Sequence, residues 1–134
     1  MERPLWQILL PLFALGFVLR QAAVAFAVGA GAGGTEPVVL AAHGLQGVAA
    51  LAFCVGVWQG RRWTIAALLA LGAAVAATAL LEGFVLGIVP PLAAVTTTLI
   101  AAVATAGLAL VLRHELGPSG TALRSEGEHR RGAP

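Results

Sequence analysis

Four apolar runs, each long enough to cross a lipid bilayer as a helix, dominate this chain and leave it few ways to fold. They cover roughly residues 5–28, 38–58, 63–89 and 92–112, and charge interrupts them only at Arg20 and Glu82. A hydrocarbon core of about 30 Å is spanned by about 20 helical residues. Composition removes the soluble alternative. The chain has 134 residues, of which 59% are hydrophobic and 10% charged, whereas soluble domains carry about 25% charged residues. A domain this small keeps much of its surface in contact with solvent, so lipid is the medium that accommodates the excess apolar area.

The breaks between runs are short. "GAGAGGTEP" (29–37) is flexible and ends on Pro37, suited to the first turn of a helix. "QGRR" (59–62) is a tight charged turn, and Pro90-Pro91 interrupts the pattern between the third and fourth runs. Short connections favour antiparallel neighbours. The fold class is therefore all-α and integral to the membrane, with four transmembrane helices in an antiparallel up-down-up-down bundle. Residues 1–116 form this single domain. Residues 117–134, rich in Gly, Ser, Glu and Arg without apolar periodicity, read as a disordered cytoplasmic tail. The first run resembles a signal peptide near "AVGAGAGG", but it is longer than a signal core and carries Arg20, so an uncleaved helix is expected.

Orientation follows from arginine placement. All eight basic residues are Arg and all six acidic residues are Glu. In a four-span arrangement Arg3, Arg61, Arg62, Arg113, Arg124, Arg130 and Arg131 fall on one side, while the opposite connections contain only Glu36. The positive-inside rule puts both termini in the cytoplasm, at a plasma or inner membrane. Trp6, Trp58 and Trp63 lie at the same three helix ends, as interfacial tryptophans do.

Several function classes lose support. Cys54 is the only cysteine, which removes an intrachain disulfide and CxxC redox or zinc chemistry. Net charge is +2 with no basic-aromatic patch, so nucleic acid is not an expected partner. There is no HExxH motif and no carboxylate pair; His114 and His129 lie far from His43 along the chain, so neither a metal nor another cofactor is expected. Gly29 to Gly34 lacks the strand and the Lys-Ser/Thr ending of a phosphate loop. No nucleophile–base pair is visible, and the chain is not expected to be an enzyme.

What remains is a polar layer. Counted at 1.5 Å per residue, Glu82 lies about 10 Å and Arg20 about 12 Å inside their run ends, His43 about 8 Å, Gln46 about 12 Å, and Thr96 to Thr98 about 6–9 Å. All these depths fall in the outer half of the membrane. An unpaired charge at membrane depth costs at least about 2.5–3.5 kcal/mol. Arg20 and Glu82, of opposite sign and similar depth, are therefore expected to pair, with His43 and Gln46 as hydrogen-bonding neighbours. The candidate cluster is Arg20, Gln21, His43, Gln46, Glu82, Thr97 and Thr98. Thr96 to Thr98 are expected to bond back to their own helix carbonyls. Gly56-x-x-x-Gly60 and Gly83-x-x-x-Gly87 fit a small-residue packing pattern.

Two functions follow. One is an accessory or interaction protein, a homo-oligomer or a subunit of a larger membrane complex, with a structural intramembrane Arg–Glu pair. The other is a small transporter or channel using the Arg20, His43 and Glu82 layer, open to the outer side.

Overall fold

A computed structural model describes residues 5–29 and 37–117. Every regular element in this part is helical. They are α1 (Trp6–Gly29), α2 (Pro37–Gln59), α3 (Thr64–Leu80), a π-helical segment (Leu81–Val85) and α4 (Pro91–Glu115). Four stretches are long and apolar enough to cross a membrane: α1, α2, α3 with the π segment, and α4. The expected disordered tail lies outside the described residues, apart from Gly117.

Proline and glycine set the boundaries. Pro37 and Pro91 each occupy the first helical position, where the missing N–H would have no intrahelical acceptor. Gly60 and Gly87 both adopt a left-handed backbone, φ +63°, which a residue with a Cβ adopts only with strain. These two are turn glycines, so neither 56/60 nor 83/87 acts as a paired packing motif. Gly83 is the packing member of its pair. A Cβ there would collide with that of Ala94, so the missing side chain lets α4 close onto the π segment.

The third run departs from the expected continuous helix over 63–89. Its α-helix ends at Leu80, and a π turn follows in which the Leu86 N–H donates to the Leu81 carbonyl at 3.0 Å. The chain then folds back over Glu82, whose carbonyl accepts Ile88 N–H at 2.8 Å and Val89 N–H at 3.4 Å. Left-handed Gly87 and the Pro90-Pro91 pair prevent a return to helix. The fourth helix is longer than the expected 92–112, because Pro91 opens it and the pattern continues to Glu115.

Helices pack chiefly on their chain neighbours, α1 on α2, α2 on α3 and α3 on α4. The apolar core gathers at one end of the molecule. It combines Ala14 of α1, Phe53 and Val57 of α2, Ala67 and Leu68 of α3 and Leu112 of α4. These come from the N-terminal halves of α1 and α3 and the C-terminal halves of α2 and α4. Elsewhere apolar side chains face outward, such as Phe13 at 85% and Leu92 at 79% exposure. A helix apolar on all sides is suited to a nonpolar surrounding.

Candidate functional site

At the end of the molecule opposite this core, polar side chains from α1, α2 and the π segment form one hydrogen-bonded chain. Gln21 Nε2 donates to Gln46 Oε1 at 2.9 Å. Gln21 Oε1 lies 2.7 Å from His43 Nδ1. His43 Nε2 lies 2.9 Å from Glu82 Oε1. Gln21 and Gln46 are 3% and 4% exposed, so both amides are withdrawn from the surroundings. Among the described residues no buried side-chain nitrogen or oxygen lacks a partner, as a stable polar network requires.

Gln21 gives its amide hydrogen to Gln46 and presents its carbonyl oxygen to His43 Nδ1, and the other ring nitrogen, Nε2, faces the Glu82 carboxyl group.

This corrects the expected Arg20–Glu82 pair. Glu82 is held by His43, and Arg20 is exposed with no ion-pair partner among the described residues. The cause is helical geometry. Arg20 and Gln21 are consecutive, so they point about 100° apart on a helix of 3.6 residues per turn. Pro11, Ala14 and Gln21 are the buried positions of α1. They lie three and seven residues apart, on one stripe. Gln21 is thus turned inward, where its Cβ approaches the backbone at Gly47, and Arg20 is turned toward a neighbouring cavity.

That cavity has a volume of about 200 Å³ and is lined by Arg20, Gln46, Glu82 and Thr97 among walls of alanine and valine from α3, α4 and the connection before α4. A water molecule in liquid occupies about 30 Å³, so the space corresponds to about six or seven waters. Thr97 is exposed and its hydroxyl has no partner among the described residues. Its neighbours behave as expected: the Thr96 hydroxyl donates to Leu92 O at 2.8 Å and the Thr98 hydroxyl to Ala94 O at 2.9 Å. Thr98 therefore stands apart from the polar chain.

The structure thus joins Gln21, His43, Gln46 and Glu82, and brings Arg20 and Thr97 to the adjoining space. Thr78, one turn before Glu82 on the same helix face, is buried and donates to Ala74 O at 2.8 Å as helix-internal support. Cys54 Sγ contacts Pro11 O at 3.7 Å, a weak packing contact. Among the described residues no group of three His, Cys or Glu side chains gathers as a metal site. No protein-family model, curated protein or solved structure matches the chain.

Proposed function

We propose that this chain is a small multi-pass membrane transporter or channel whose His43–Glu82 pair exchanges protons with the adjoining cavity. Four membrane-spanning stretches would run up-down-up-down, with both termini cytoplasmic at a plasma or inner membrane. Two features support alternation: the core unites opposite halves of successive helices, and the polar chain does so at the other end.

The carrying observation is that Glu82 both lies 2.9 Å from His43 Nε2 and lines the cavity. Histidine exchanges a proton near neutral pH, which an arginine partner does not. The backbone around Glu82 agrees with this reading. Irregular backbone at membrane depth is tolerated where it is buried in protein or lines a wet cavity, and π turns are frequent at functional sites.

Purified protein in liposomes containing a trapped pH dye tests the proposal. Under an inside-negative potassium-diffusion potential the wild type acidifies the lumen, and Glu82→Gln falls to the level of empty vesicles while melting normally. A wild type no more permeable than empty vesicles would contradict it. An accessory role, in a homo-oligomer or larger complex, is the second reading. It is favoured by the network having every buried polar side-chain atom satisfied among the described residues, which suits a clamp between helices.

A further inference from the structure

We propose that the cavity is a binding site for a small oxyanion, a carboxylate or phosphate group, with Arg20 as its counter-ion; this rests on the cavity being a solute site. Two independent features of the walls point to that chemistry.

The first is charge. Glu82 is already engaged, its Oε1 lying 2.9 Å from His43 Nε2. Among the described residues Arg20 is the only other ionisable side chain lining the space, and it brings a permanent positive charge. Its guanidinium has no ion-pair partner among the described residues. A permanent cation among alanine and valine walls favours an anion strongly, and the planar fork of arginine fits two oxygens of one oxyanion.

The second is the direction of the hydrogen bonds on offer. Gln46 uses Oε1 to accept from Gln21. Its Nε2 has no partner among the described residues. Gln46 lines the cavity, as does Thr97 with its unpaired hydroxyl. Arg20, Gln46 and Thr97 thus offer donors from three different helices, α1, α2 and α4. Glu82 adds one oxygen that can accept from a protonated ligand oxygen. A site richer in donors than acceptors selects a ligand richer in acceptors. The volume of about 200 Å³ holds a phosphate or short carboxylate with a few waters.

The test is isothermal titration of the full chain in dodecyl maltoside, a detergent without phosphate, with inorganic phosphate at constant ionic strength. The wild type binds phosphate saturably. Arg20→Gln weakens binding about tenfold or more, and Thr97→Val weakens it about threefold. Neither side chain has a hydrogen-bond or ion-pair partner among the described residues, so both variants keep the wild-type melting temperature. A second arm adds phosphatidylglycerol to the micelles. If it competes with phosphate, a lipid headgroup reaches the site; if it does not, the site takes free anions, and either result upholds the oxyanion. Absence of saturable phosphate binding, or binding by Arg20→Gln equal to the wild type, overturns the inference. Binding is read apart from proton flux. A chain that moves protons without binding phosphate loses this inference alone, and one that binds phosphate without moving protons loses only the transport reading.

Discussion

Gln21 is the side chain on which the polar chain turns, since it both donates to Gln46 and accepts from His43. Replacing it by leucine leaves a buried acceptor on Gln46 and a half-buried donor on His43 without partners. Gln21→Leu should lower stability by about 1–3 kcal/mol, measured by reversible unfolding in mixed micelles. Thr97→Val, whose hydroxyl has no partner among the described residues, should change stability by less than about 0.5 kcal/mol in the same assay. Legibility differed among these residues for a physical reason. Depth along a helix is linear in residue number, so the common level of Gln21, His43, Gln46 and Glu82 could be counted from the sequence. Which of two adjacent polar residues turns inward depends on rotation, and charge complementarity pointed to Arg20. The signal that favoured Gln21 was its spacing of seven residues from Ala14, a small residue suited to close helix packing.

The π segment sets Glu82 at its level, and its geometry depends on the return of the chain toward α4. Gly83 permits that return because α4 passes where its side chain would stand. Gly83→Val should cost about 1–3 kcal/mol through overpacking, and it should displace Glu82 from His43 and reduce proton flux in the liposome assay. Gly87 has a different part. Its left-handed backbone makes Gly87→Ala strained even though nothing stands near the missing Cβ. A destabilisation of about 1 kcal/mol is expected there, again by unfolding in micelles. The four helical stretches were legible because apolar length decides them. The early end of α3 was not, because π turns have no strong residue preference and the apolar run continues through them. Pro90 and Pro91 announced the break but not that the helix would yield ten residues earlier, at Leu80.

Across the whole molecule, apolar contacts collect at one end and polar contacts at the other. Arginine placement predicts that the apolar-core end is cytoplasmic. Reporter fusions after residues 34, 61 and 117 should read outside, inside and inside, and any other pattern removes the four-span topology. At the polar end, α1, α2 and the π segment are joined through side chains whose partners lie far apart in sequence. Glu82 is held by His43 and not by Arg20, and a pair of double-mutant cycles in reversible micelle unfolding tests this pairing. His43→Leu combined with Glu82→Leu should show a coupling of at least about 1 kcal/mol, while Arg20→Leu with Glu82→Leu should add within about 0.5 kcal/mol. Additivity in the first cycle with strong coupling in the second would contradict the pairing described here.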